Sequence, residues 1–110
     1  MEERISSNPE PDADHDRALV ARARAGDADA LDALVAGHQD RVYSLAYRML
    51  GDREDALDVA QEVFLTVFQN LGRFEERARF STWLYRVAVN RCRDELRRRG
   101  TVKHTRPLSL

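Results

Sequence analysis

The chain has 110 residues, with 18 Lys+Arg against 19 Asp+Glu and a formal net charge of −1. The charges are unevenly ordered: residues 1–62 hold 7 basic and 15 acidic side chains (net −8), and residues 63–110 hold 11 basic and 4 acidic (net +7), a split that suggests two different charged partners. The length permits one modest core, no stretch approaches the ~20 apolar residues of a transmembrane helix, and no signal-peptide pattern opens the chain.

A single cysteine, Cys92, excludes an internal disulfide framework, so a reducing cytoplasm is the expected compartment. His15, His38 and His104 are scattered, without a Cys/His pair at ligand spacing, so no zinc site and no other cofactor is expected. There is no Gly-rich phosphate loop, nucleophile elbow or His-Glu-x-x-His motif. The chain therefore reads as a binding module and not an enzyme.

Residues 1–13 carry two prolines, several charges and no apolar periodicity, and are expected to form a disordered tail. A first helix starts near Asp14 or Asp16 and runs through Leu19, Val20 and Ala23 to Gly26. Asp27 caps a second helix carrying Leu31, Leu34, Val35, Val42, Leu45, Ala46, Met49 and Leu50, with Gly37 as a point of bending or interruption and Gly51 as its end. Asp52 caps a third helix over 52–71, closed by Gly72. A charged loop follows over 73–80, then a last helix from an N-cap at Ser81 to about Arg99, ended by Gly100, with the remaining residues as a flexible tail. No segment alternates at period two. The expected fold is all-α, a compact four-helix domain with short connections.

On the third helix, Leu57, Ala60, Phe64, Val67, Phe68 and Leu71 converge at 100° per residue and read as the core stripe. The opposite face collects Asp55, Asp58, Glu62, Leu65 and Gln69, with Gln61 on its flank. Such a face is either a solvated acidic surface or, because of the apolar Leu65 in its middle, a docking surface for a basic partner helix.

On the last helix, Leu84, Tyr85, Ala88, Cys92 and Leu96 share an inward face, and Trp83, Arg86, Asn90, Arg93 and Arg97 share the other. Residues 81–100 carry six Arg against Asp94 and Glu95. Arginines neutralise phosphates, Asn pairs bidentately with a base edge and Trp offers a stacking face, which is the chemistry of a DNA-binding helix. The alternative is an exposed basic helix with Trp83 tucked into the core. Cys92 reads as a small core residue and not as a redox sensor. Phe74 and Phe80 bracket a loop containing Arg77 and Arg79; the aromatic pair either holds unstacked bases or anchors the loop.

Together these segments resemble a known family. Leu50-Gly51-Asp52, then Asp55-Ala56-Leu57-Asp58-Val59-Ala60-Gln61-Glu62-Val63-Phe64, then Phe80-Ser81-Thr82-Trp83-Leu84-Tyr85-Arg86-Val87-Ala88-Val89-Asn90, resemble region 2 of the sigma-70 family of transcription factors, and within it the extracytoplasmic-function (ECF) group. Leu19-Val20, Gly26-Asp27, Ala30-Leu31 and Val42-Tyr43-Ser44-Leu45-Ala46 also suit that group, so the resemblance covers about residues 16–99. It implies that Asp55, Asp58, Gln61, Glu62 and Leu65 dock on a coiled coil of the largest subunit of core RNA polymerase. It also implies that the loop Phe74–Phe80, with Arg77 and Arg79, and the helix bearing Trp83, Arg86, Asn90, Arg93 and Arg97 recognise and melt the −10 promoter element on its non-template strand. An anti-sigma factor is a further implied partner.

The domain layout expected from this resemblance is a tail over 1–13, region 2 over 14–99, and the start of a linker over 100–110, either a fragment cut in that linker or a naturally short protein. The family's second domain, which reads the −35 element, is not in this sequence. Two other readings stand beside it: a stand-alone duplex-reading regulator, against which the lack of a helix-turn-helix Gly turn counts, and a protein-interaction domain with an incidental basic face.

Overall fold

The computed structural model describes residues 13–75 and 77–103, with the side chains of 101–103 left aside. They form α1 (Ala13–Arg24), α2 (Ala28–Leu50), α3 (Arg53–Gln69), a 3₁₀ turn (Leu71–Arg73) and α4 (Phe80–Lys103). No strand occurs among the described residues, and the all-α, four-helix expectation holds. Most of the tails expected at either end lies outside the described residues.

The helix boundaries follow capping chemistry. Asp27 keeps an extended backbone (φ −79°, ψ 104°) while its side chain accepts from the Asp29 and Ala30 amides, satisfying donors that have no partner within the helix. The Arg22 guanidinium donates to Asp27 at 2.9 Å and, with desolvation opposing, holds its carboxyl below the usual carboxylate range. Asp52 repeats the arrangement for α3 by accepting from the Asp55 amide at 2.9 Å. Gly51 closes α2 in the left-handed region (φ 74°), where its amide donates to the Tyr47 carbonyl at 2.8 Å. A side chain there carries a Cβ penalty that glycine escapes.

Four boundary expectations are corrected. Gly37 does not interrupt α2, which runs unbroken through it, held by the buried Leu34 and His38 on its inner side. Packing of that face outweighs the ~1 kcal/mol helical penalty of one glycine. The third helix ends before Gly72, at Asn70, whose side-chain amide donates to the Thr66 carbonyl at 2.8 Å. Ser81 is not an N-cap: α4 begins at Phe80, the Arg79 carbonyl accepts from the Trp83 amide at 3.2 Å, and Ser81 is buried in the first turn. Gly100 does not stop α4, which continues to Lys103.

α2 packs against all three other helices, and α4 closes over α1 and α3. The core runs through Leu19 and Val20 of α1, Leu34, Val42 and Ala46 of α2, Val59, Val63 and Val67 of α3, and Leu84, Ala88 and Cys92 of α4. Burial pushes the Cys92 thiol up, which suppresses the thiolate and fits a packing role.

Two apolar residues expected inside are outside. Leu57 is 52% exposed and Leu96 is 38% exposed, while Ala56, Val59 and Val63 take the buried positions of α3 and Glu95 is buried on α4. α3 is clamped on two sides, by α2 and by α4, so its buried stripe centres on small residues between those neighbours and not on its largest ones.

A polar node sits in this core. Fully buried His38 of α2 donates from Nε2 to Asp16 of α1 at 3.0 Å, and its Nδ1 lies 3.3 Å from the Tyr85 hydroxyl of α4. The Phe80 ring meets the imidazole edge-on at 5.4 Å. Three helices are thus joined by one side chain whose role the sequence concealed.

Candidate nucleic-acid interface and docking face

The acidic face of α3 divides in two. Asp58, Gln61 and Leu65 point to solvent, Leu65 with 59% of its area exposed. Asp55 and Glu62 instead turn to α4: Asp55 pairs with Arg99, and Glu62 with Arg91 at 2.5 Å. Arg99 also donates to the Leu50 carbonyl at 3.1 Å, tying α4 to the end of α2. Of the five residues expected to dock a partner, two therefore belong in the first place to the α3–α4 seam.

What they leave is apolar. Leu57, Gln61 and Leu65, spaced i, i+4 and i+8, edge an open groove of about 530 Å³ whose floor and far wall include Phe64 of α3 and Val35 and Tyr43 of α2. Leu57 was legible as part of this groove only through its eight-residue spacing to Leu65; assigning it to the core hid the pattern.

Glu95 is the other residue missed by sequence. Its carboxylate accepts from Arg98 at 2.6 Å and lies 3.6 Å from Arg99 and 4.0 Å from Arg91. The Arg98 hydrogen bond, reinforced by the charges of Arg98, Arg99 and Arg91, holds its carboxyl below the usual carboxylate range against desolvation. A depressed folded-state value stabilises fully above the unfolded carboxylate pKa and is lost as pH falls through the folded one. Glu95→Gln is therefore expected to lower stability by about 1–2 kcal/mol at neutral pH. Thermal melts from pH 7 down to 3 check this: the gap to wild type should narrow with acidification. A gap that stays constant rules out the charge of Glu95 as its cause.

The opposite face of α4 carries the expected basic stripe. Arg86, Asn90, Arg93 and Arg97 are exposed, Arg97 bonded to Asp94 at 3.0 Å. Trp83 is half-buried and stacks one face on Phe74, with centroids 4.8 Å apart and planes at 19°. Phe74 and Phe80 are both buried, so they anchor the loop and offer no free faces for bases. Between them Arg77, paired with Glu75 at 2.5 Å, and Arg79 are exposed. The loop's near end is braced from α1, where Arg24 donates to the Leu71 carbonyl at 3.0 Å and to that of Phe74, its guanidinium 5.9 Å from the Phe74 ring centre.

Among the described residues no group of His, Cys, Asp or Glu is arranged to hold a metal ion, and no helix is long and apolar enough to cross a membrane.

Residues 34–102 match the family model for sigma-70 region 2. The chain belongs to the sigma-70 family. Its relatives place this region 2 domain in the ECF group: it is 40% identical over 80 residues to the ECF RNA polymerase sigma factor SigW of Bacillus subtilis, covering 73% of this chain and 43% of that protein. It is likewise 40% identical over 87 residues to the RNA polymerase sigma-H factor of Pseudomonas aeruginosa, covering 79% and 45%. The chain thus spans less than half the length of these curated relatives. Among solved structures, an engineered region 2 of sigmaE in complex with GTAAAA is similar with a TM-score of 0.73 and 38% identity, over 81% of this chain and 93% of that one. CnrH, in complex with the cytosolic domain of CnrY, is similar with a TM-score of 0.65 and 34% identity, over 73% of this chain and 52% of that one.

Proposed function

We propose that this region 2 domain is the part of an ECF sigma factor that binds core RNA polymerase and recognises and melts the −10 promoter element. The observation that carries the reading is the separation of two unlike faces: a largely apolar groove edge on α3 with the exposed Asp58 beside it, and an arginine stripe with one asparagine on α4. The coiled coil of the largest polymerase subunit docks along Asp58, Gln61 and Leu65, with Leu57 as a further contact. Asp55 and Glu62 support that face from the seam.

The non-template strand runs along α4. Arg86, Arg93 and Arg97 meet phosphates, Asn90 reads a base edge, and Trp83 with Arg77 and Arg79 borders the opened bases. The GTAAAA bound by the similar engineered region 2 of sigmaE supports a strand-reading role. Melting costs a few kcal/mol per unstacked step, and each base captured on an aromatic face returns roughly 1–3 kcal/mol. One or two captured bases with phosphate contacts hold a small bubble without a nucleotide-driven motor. The polymerase core makes the bonds; this chain makes none, needs no cofactor and works where polymerase and promoter meet, in the cytoplasm. The complex of CnrH with the CnrY domain supports a further protein partner, an anti-sigma factor, for this chain.

The test is co-purification with core RNA polymerase, followed by selection of a forked −10 oligonucleotide from a randomised pool. Asn90→Ala is expected to weaken binding of the selected strand about tenfold, the worth of one bidentate base contact, and to leave polymerase binding unchanged. Failure of the wild-type chain to bind core at all sinks the reading. Tight, polymerase-independent binding to palindromic duplex in a gel shift supports a duplex-reading regulator instead.

A further inference from the structure

α1 lies outside the 34–102 match, so the family model assigns it no role. Yet α1 and the 74–80 loop together enclose a small notch of about 70 Å³, walled by Arg17 and Val20 of α1 and by Phe74, Arg77, Arg79 and Phe80. Among the described residues its lining combines the apolar Val20, Phe74 and Phe80 with three arginines. The room is that of roughly two bulk waters, enough for the oxygens of a phosphate and too little for a purine or pyrimidine ring. Three arginines lining one small notch favour an anion, and their planar forks match phosphate geometry.

Two of the three have carboxylate partners in the free protein. Arg17 pairs with Asp14 at 3.2 Å and Arg77 with Glu75 at 2.5 Å, all four side chains more than 60% exposed. Solvent-exposed pairs of this kind are weak, so a phosphate entering the notch displaces them readily. Arg24, two turns along the same face of α1, fixes the start of the loop against α1 and so keeps Arg17 in register with Arg77 and Arg79.

We infer that α1 supplies a nucleic-acid contact: Arg17, with Arg77 and Arg79, forms a phosphate-binding notch that grips one backbone phosphate of the single strand. This deepens the strand-binding reading above and rests on it. It adds to the loop's recognition a sequence-independent anchor drawn from a helix with no assigned part in DNA binding.

The experiment titrates the selected single strand, and a series carrying one neutral methylphosphonate linkage at each position, against wild type, Arg17→Ala and Arg22→Ala. Arg22 lies on the same helix, pairs with Asp27 at 2.8 Å and does not line the notch, so it controls for net charge. Arg17→Ala is expected to bind three- to tenfold more weakly near 0.1 M salt, with a log–log salt slope shallower by about 0.7, the single-strand value for one phosphate. Arg22→Ala should match wild type. One methylphosphonate position should weaken wild type and leave Arg17→Ala unaffected. If Arg17→Ala behaves like Arg22→Ala, or suffers the same methylphosphonate penalty as wild type at every position, the notch is not a phosphate site although the strand-binding reading stands. If the wild-type chain binds no single strand, both fall together.

Discussion

His38→Leu is expected to destabilise the domain by about 2–3 kcal/mol, the penalty for leaving a buried acceptor without its hydrogen-bond donor. The imidazole is fully buried and the Asp16 carboxylate it serves is only 4% exposed, so leucine strands that carboxylate without a donor. The Tyr85 hydroxyl loses a partner at the same time. In a domain of this size such a loss lowers the melting temperature by roughly 10–20 °C. The pairing itself is tested by a double-mutant cycle in urea: Asp16→Ala together with His38→Leu should cost clearly less than the two single losses added, because the second change removes the orphaned polar group. Additive losses show that the hydrogen bond contributes nothing beyond packing.

The second large effect separates folding from docking. Leu57→Arg is expected to leave the melting temperature within a few degrees of wild type and to weaken binding to core polymerase at least thirtyfold, as does truncation of a buried anchor worth ~2 kcal/mol or more. Leu65→Arg should do the same. The two leucines are 52% and 59% exposed and edge one groove, so a charge at either costs the fold little and spoils the apolar contact. A melt and a polymerase pull-down on each variant decide the matter. An unfolded Leu57→Arg places Leu57 in the core, and a folded variant with undiminished polymerase binding removes the groove from the docking face.

Leu57 also marks where sequence reading stops. Helix number, order and most boundaries were legible because capping is local: Asp27, Gly51 and Asp52 each act on amides or carbonyls within four residues. Hydrophobic periodicity located the amphipathic helices but not the phase of α3, because a helix gripped from two sides buries the arc between its neighbours, and those neighbours are set by tertiary packing. The same blindness covers His38 and Glu95. The partners of His38 (Asp16 and Tyr85) lie on other helices, whereas Glu95 pairs with Arg91 and Arg98 on its own helix and what sequence hid was its burial, since a charged side chain read singly looks solvated. Of the candidate site, the exposed Arg86, Asn90, Arg93 and Arg97 were readable from the 3.6-residue repeat alone. Phe74 and Phe80 were not, since aromatic residues beside a basic loop anchor it or stack on bases with the same spelling.

The brace from Arg24 has a kinetic consequence. A loop tethered only at its ends samples many backbone conformations, and a ligand that needs one of them loses affinity in proportion to how seldom it occurs. With the Leu71 and Phe74 carbonyls already engaged, the entry to this loop surrenders its backbone freedom when the protein folds and not when it meets its ligand. Cutting the tether by Arg24→Ala therefore acts chiefly on how often an encounter is productive, so the association rate falls while a strand, once seated, leaves at nearly its former pace.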